Sequence, residues 1–248
     1  MKCINRFINL TLCIILLSGL LCACGSKEYS FAYDRNRNNS SFTVATGMKG
    51  QKSEAFASDL CVTVDDVVEG TTVDMSNATA AGLFDINDSE VLYAKNVHAK
   101  LNPASLTKVL TALCALENGN LDDVLTASEN VIVNESGAVK LGLQAGDTMT
   151  LDQALHALML KSANDVAIMI AEHVGGSVEG FSDMMNEMAN SLGATNSHFV
   201  NSNGLTDPNH YTTAYDLYLI CNEAVKYDKF VEIMHTSTYS HSLLIASL

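Results

Sequence analysis

A serine and a lysine lie three residues apart in the segment Pro103-Ala104-Ser105-Leu106-Thr107-Lys108. If this segment is helical, Ser105 and Lys108 project from one face, with Cβ atoms about 5 to 6 Å apart. A serine hydroxyl is a poor nucleophile unless a neighbour takes its proton, and lysine can do so only when burial lowers its pKa. The free N–H groups and the dipole of a first helical turn would also stabilise an oxyanion. The pair therefore indicates nucleophilic catalysis, with Ser105 as nucleophile and Lys108 as general base.

A second polar pair, Ser162 and Asn164, falls where a helical pattern is interrupted. Either residue could instead be a plain N-cap for the apolar segment that begins at Val166. Taken alone, Ser-x-x-Lys has low specificity, because a serine in a first turn and a lysine one turn later are common on helices. The presence of both pairs in one chain favours a catalytic role for these residues over a purely structural one.

The elements that must position these residues follow from the apolar pattern. Two apolar runs, 79–86 and 90–94, are separated by Asn87-Asp88-Ser89 and predict a β-hairpin. Asn102 as N-cap and Pro103 in the first helical position then open a helix that runs to Asn118. Further helices are predicted from Thr150, which forms a capping box with Gln153, and over 166–174, 181–192 and from Thr213 onward.

Composition restricts the class of protein. With 48% hydrophobic and 17% charged residues, the 248-residue chain can bury a core and is not mainly disordered. Its net charge of −14 would repel a phosphate backbone, which argues against nucleic acid as a partner. The seven histidines show no ligand spacing, so the sequence predicts no metal site.

The first residues have the pattern of an export signal. Lys2 and Arg6 precede an apolar stretch, 7–23, that is short for a membrane-spanning helix. The sequence 21–25, Leu-Cys-Ala-Cys-Gly, resembles a bacterial lipobox with Cys24 as the lipidated residue. An ordinary signal peptide cut nearby, or an uncleaved anchor, remains open, and each would place the domain outside the membrane. We therefore divide the chain into a signal peptide (1–23), a flexible polar tether (24–72) and a folded domain (73–248).

Several segments of this domain resemble one family, the serine-type D-alanyl-D-alanine carboxypeptidases, which are low-molecular-mass penicillin-binding proteins of the peptidase S11 group. Ser105-x-x-Lys108 and Ser162-x-Asn164 match the two motifs that face one cleft in penicilloyl-serine transferases. The similarity covers residues 79–235, and it is carried by 92–96, 102–113, 160–172, 180–186, 192–201 and 204–216.

The resemblance implies an α+β fold of the β-lactamase/transpeptidase type, a helical cluster against an antiparallel sheet. It implies that Ser105 attacks the carbonyl between the terminal D-alanines of a peptidoglycan stem peptide, while Lys108 accepts its proton. Ser162 would relay a proton to the leaving D-alanine, and Asn164 would bind the peptide or orient Lys108. β-Lactams would be covalent inhibitors, no cofactor would be required, and the protein would work at the outer face of the cytoplasmic membrane.

The chain departs from the family pattern in its last part. No Lys-Thr-Gly occurs in it, although this third motif supplies the family's carboxylate-binding cation and a second oxyanion donor on a sheet strand. The likeness fades after Tyr239, so we expect the later sheet strands to be missing. As an isolated chain it is expected to be inactive or unstable, unless the sequence is a gene fragment or a frame-shifted product. Asn203 also stands where many relatives have histidine.

Two other functions compete with this interpretation. A class A β-lactamase shares Ser-x-x-Lys but needs a loop glutamate to activate water, and Glu187 instead falls in a methionine-rich helical stripe. A catalytically inactive, lipid-anchored peptidoglycan- or penicillin-binding remnant would keep the pocket without turnover.

Overall fold

A computed structural model describes residue 57 and residues 59–68 and 74–240. The predicted signal peptide and Cys24 lie outside the described residues. The described residues from Asp59 to Ser240 belong to one compact unit. Within the described part of the chain, no helix combines the length and the apolar character that crossing a bilayer requires.

The predicted hairpin is confirmed. Strand β1 (Ala81–Asp85) pairs antiparallel with β2 (Glu90–Lys95), and the register shifts between Leu83 and Phe84. The Asp85 carboxylate accepts the backbone N–H groups of Asn87 and Asp88, which closes the turn. A second, short antiparallel pair forms from β3 (Val124–Thr126) and β4 (Thr148–Thr150).

Six α-helices account for most of the described core. They are α1 (Thr107–Asn118), α2 (Leu151–Lys161), α3 (Asn164–Gly175), α4 (Val178–Ser191), α5 (Ala214–Ala224) and α6 (Asp228–His235). Thr150 and Gln153 form the predicted capping box, and Thr213 caps α5 as predicted. The chain breaks between α2 and α3 at Ser162 and Ala163, where the sequence pattern placed the interruption.

Helix α1 lies at the centre of this helical cluster. Eight of its residues are buried, from Thr107 to Ala115, and it packs against α2, α3, α4, α5 and α6. The hairpin packs against α5, where Phe84 stacks on Tyr218 with ring centroids 4.2 Å apart. The architecture is therefore α+β, as predicted, with helices gathered around the element that carries Lys108.

Residues 59–68 are packed against the domain, although the sequence analysis assigned them to the flexible tether. Cys61 is fully buried; its N–H donates to the hydroxyl of Tyr218, and its carbonyl accepts from the hydroxyl of Tyr215. Val67 pairs with Ala94 of β2 through two backbone hydrogen bonds. The domain therefore begins earlier than residue 73, because side chains distant in sequence, Tyr215 and Tyr218, hold this segment.

The side chain of Asn186, on α4, binds the backbone of Phe199. Its amide donates to the carbonyl of Phe199 at 2.7 Å and accepts the N–H of Phe199 at 2.9 Å. The side chain thus replaces a strand neighbour for Phe199, whose own side chain is buried in the core.

We expect Asn186→Ala to lower the free energy of unfolding by about 2 kcal/mol, because it leaves both backbone groups of Phe199 without partners. Asn190→Ala is the matched control, since Asn190 is exposed on the same helix and gains the same helix propensity. The control should change stability by less than about 0.5 kcal/mol. Urea unfolding followed by circular dichroism measures both, and equal stabilities for the two variants would contradict the assignment.

Candidate active site

Ser105 lies in a tight turn that precedes α1. Residues Ala104–Leu106 form a 3₁₀ turn, and α1 begins at Thr107, later than the sequence predicted for a helix opened by Pro103. Ala104 has φ +47°, which departs from the helical path, and its N–H is held by the Asn102 side chain at 2.8 Å. Left-handed backbone at a non-glycine residue costs free energy and is found preferentially at functional sites. The turn leaves Ser105 exposed at the corner.

Lys108, by contrast, is buried, with 2% of its surface exposed. Its Nζ lies 3.3 Å from Ser105 Oγ, so the two residues that the sequence paired do meet. The amine also donates to Asn164 Oδ1 at 3.0 Å and to the backbone carbonyl of Asn203 at 2.6 Å. Burial lowers the pKa of Lys108 from 10.5 to about 8, because desolvation penalises the charged form.

These three contacts determine how a neutral lysine would be oriented. A neutral amine has two protons and one lone pair. The carbonyl oxygens of Asn164 and Asn203 can only accept hydrogen bonds, so each takes one proton. The lone pair is left to face Ser105 Oγ. The arrangement can therefore withdraw the hydroxyl proton without further rearrangement.

The amide of Asn164 has a defined orientation. Its Nδ2 and its backbone N–H both donate to the carbonyl of Val139, each at 2.9 Å. Because that carbonyl cannot donate, nitrogen must face Val139 and oxygen must face Lys108. The geometry thus fits the orienting role for Asn164, one of the two roles that the sequence left open, since its amide nitrogen is already occupied.

Ser162 is next to this cluster in the chain but is not bonded to it. It adopts left-handed backbone with φ +58° and ψ +37° at the end of α2, and its side chain is partly exposed. Among the described residues, its hydroxyl has no hydrogen-bond partner, and it forms no hydrogen bond with Lys108. The N-cap alternative is wrong for both motif residues, because Ala163 occupies the N-cap position of α3 and no side chain caps that helix.

The turn 201–205 is a part of the site that the sequence analysis missed. It supplies the Asn203 carbonyl, and it is held by Asn201 Oδ1, which accepts from Gly204 N–H at 2.7 Å. Gly204 has φ +82°, and a Cβ at this position would overlap the carbonyl of Ala104. From the sequence, Asn203 was noted only as a departure from relatives that have histidine at this position. The Asn-x-Asn-Gly pattern was the available signal, since it marks a turn in which the backbone approaches closely.

The rear wall of the site is a buried polar layer. Thr107 Oγ1 lies 2.8 Å from His210 Nε2, while His210 Nδ1 accepts the N–H of Val200. Burial lowers the pKa of His210 to about 4, so the ring is neutral and its Nε2–H donates to Thr107. No group of His, Cys, Asp and Glu that could hold a metal ion is found in the described part of the chain.

Comparison with known proteins identifies the family. The family model described as D-alanyl-D-alanine carboxypeptidase, peptidase S11, matches residues 67–244. The D-alanyl-D-alanine carboxypeptidase DacF of Bacillus subtilis is 35% identical over 171 residues, which are 67% of this chain and 43% of the relative. DacC of Escherichia coli is 32% identical over 165 residues, covering 63% of this chain and 40% of the relative.

Solved structures agree with this result. A mutant form of a Streptomyces DD-transpeptidase superposes with a TM-score of 0.64 at 29% identity, over 67% of this chain and 68% of that one. The carboxypeptidase DacD of Francisella tularensis gives 0.58 at 29% identity, over 69% and 42%. The predicted β-lactamase/transpeptidase-like fold is confirmed. The chain spans less than half the length of the Bacillus subtilis relative. Its matched domain places the chain in the D-alanyl-D-alanine carboxypeptidase family, peptidase S11.

Proposed function

We propose that this chain is part of a serine-type D-Ala-D-Ala carboxypeptidase that removes the terminal D-alanine of peptidoglycan stem peptides. The observation that carries the proposal is the buried amine of Lys108, 3.3 Å from an exposed serine hydroxyl. A lysine with a pKa of about 8 is partly neutral at physiological pH, which an exposed lysine is not. Membership of the family supplies the substrate class.

In the proposed acylation step, Ser105 Oγ bonds to the carbonyl carbon between the two D-alanines while its proton moves to Lys108 Nζ. The tetrahedral intermediate then collapses, the C–N bond breaks, and the leaving amine of D-alanine takes a proton. Ser162, whose hydroxyl is uncommitted among the described residues, would relay that proton. Water then cleaves the ester on Ser105 and releases the shortened peptide.

The proposal also concerns what the 248 residues contain. The backbone N–H of Ser105 is available as one oxyanion donor, whereas the Lys-Thr-Gly motif that serves relatives as a carboxylate-binding cation does not occur in the sequence. Acylation by a strained β-lactam therefore tests the part of the site that these residues contain. The alternative is a penicillin-binding remnant without turnover. A class A β-lactamase would need a loop glutamate to activate water, whereas Glu187 is exposed on helix α4.

The nucleophile can be tested by covalent labelling. We expect a fluorescent penicillin to acylate the purified chain at Ser105, as shown by peptide mass spectrometry, and Ser105→Ala to abolish the label. Ser191→Ala, which alters an exposed serine on α4, should be labelled like the unchanged protein. A folded sample that takes no label, or a Ser105→Ala variant that is labelled equally, would exclude Ser105 as nucleophile.

The role of Lys108 predicts a pH dependence. Acylation requires the neutral amine, so its rate should rise with pH, pass half-maximum near pH 8 and level off above it. Lys108→Arg keeps the charge but cannot lose its proton, and it should lower the rate by at least about 10²-fold at every pH. Stopped-flow labelling between pH 6 and 10 measures both. A rate that does not change with pH over this range would contradict a lysine base.

We further propose that the protein is exported and anchored through a lipid on Cys24, which lies outside the described residues. The lipobox-like sequence around it supports this proposal. Expression in a bacterium should yield a product that begins at Cys24 and carries a diacylglycerol mass, and Cys24→Ala should remove that mass. A product that begins at another residue and carries no lipid would contradict the anchor and indicate export by ordinary cleavage.

A further inference from the structure

Asp165, the residue after Asn164, has a buried carboxylate that the reaction described above does not use. Only 1% of its surface is exposed. The carboxylate accepts three successive backbone N–H groups of one loop: Leu141 at 3.0 Å, Gly142 at 2.7 Å and Leu143 at 3.1 Å. It also accepts from Val166 at 3.0 Å, within the first turn of α3. Among the described residues, no cation forms an ion pair with it.

The loop backbone is shaped to receive this charge. Gly142 has φ +96°, and the left-handed residue turns consecutive N–H groups toward one point, which creates a concave anion site. Here the anion is a side chain of the protein itself. Backbone dipoles from the loop and from the N-terminus of α3 therefore compensate the buried charge.

The same loop determines the orientation of Asn164. Val139, just before the three N–H groups, accepts both the backbone N–H and the side-chain amide of Asn164. If the loop moved, the Asn164 amide would lose the acceptor that keeps its oxygen toward Lys108. Asp165 and Asn164 are adjacent at the start of α3, so the two residues clamp one loop from one helix end.

We propose that Asp165 is a positioning residue: by binding the N–H groups of 141–143, it holds Val139 where it fixes the Asn164 amide oxygen on Lys108. The effect of Asp165 on Lys108 is inferred from the geometry alone. Its consequence for catalysis also rests on the proposed function. Asp165 is itself a negative charge in the residue next to Asn164, so a loop variant that keeps this charge is needed to separate positioning from electrostatics. His210, which contacts Thr107 on α1, is neutral above pH 5, and Lys108 itself forms no ion pair within the described residues.

Replacing the carboxylate by an amide separates this role from plain stability. Asp165→Asn presents an NH₂ group to N–H donors, so the loop loses an acceptor and the Asn164 amide can turn over. The ammonium form of Lys108 then loses an acceptor, and its pKa should fall further. We expect the plateau rate of penicillin acylation to drop about tenfold, and the midpoint of its pH profile to move to lower pH. A loss of stability alone would reduce labelling without moving the midpoint.

Asp216→Asn is the matched control. Asp216 is also 1% exposed and near the start of a helix, and it accepts the N–H of Asn196 at 2.8 Å and the hydroxyl of Ser197 at 2.6 Å. Among the described residues, it forms no hydrogen bond or ion pair with Asn164 or Lys108. This variant should lose stability and keep the midpoint of the unchanged protein. Equal midpoints for Asp165→Asn and the unchanged protein would overturn the proposal.

A pair of glycine variants decides the question if Asp165→Asn does not fold. Gly142→Ala and Gly137→Ala both place a Cβ at left-handed backbone, with φ +96° and +81°, and neither Cβ meets another atom within 4 Å. They carry similar backbone strain, but only Gly142 contributes an N–H to Asp165. Gly142→Ala should lower the acylation plateau, and Gly137→Ala should not. Equal rates for the two would overturn the proposal.

A readout without substrate keeps this test distinct from that of the proposed function. The pKa of Lys108 can be followed by the ¹³Cε chemical shift in NMR titrations of the purified variants. It should fall in Asp165→Asn and also in Gly142→Ala, which keeps the carboxylate, and stay unchanged in Asp216→Asn. If penicillin labels no variant, the proposed function fails, and this titration still supports or refutes the positioning role.

Discussion

The site depends on one constraint: a lysine amine is kept out of water and yet given fixed hydrogen-bond acceptors. Lys108 Nζ is held by two carbonyl oxygens, from Asn164 and Asn203, which lie 56 and 95 residues after it in the chain. Desolvation lowers its pKa, and the two acceptors limit where its lone pair can point. Neither effect would be sufficient alone, because a buried but unoriented amine would not face Ser105, and an oriented but solvated one would stay protonated.

The surrounding fold can be understood as the means of meeting this constraint. Helix α1 is central because its buried face must carry Lys108 into the core, where surrounding helices exclude water. The break between α2 and α3 brings Asn164 to α1, and the turn 201–205 brings a backbone carbonyl. Close approach at Gly204 and the left-handed residue Ala104 then place Ser105 at the surface end of this buried group. Conformational strain at Ala104 is thus located beside Ser105, the proposed nucleophile, whose side chain is exposed.

Much of this could be predicted from the sequence. The hairpin followed from two apolar runs around Asn87-Asp88-Ser89, and the second helix from a capping box, because both signals are local. The Ser105 and Lys108 pair followed from helical spacing. The Asn203 carbonyl could not be predicted in the same way, since any residue type supplies a carbonyl and only the tertiary path decides which one reaches an amine. The ordering of residues 59–68 was missed for a related reason: their partners, Tyr215 and Tyr218, lie far away in the sequence.

The clamp at the start of α3 shows how motif residues can depend on a neighbour with no chemistry of its own. Asn164 contacts the lysine, but its orientation comes from Val139, which in turn lies on a loop bound by Asp165. Direct titration of Lys108 by NMR in the unchanged protein tests the central claim most directly. The account predicts a pKa of about 8, whereas a value near the ordinary 10.5 would show that the amine is solvated and would contradict it.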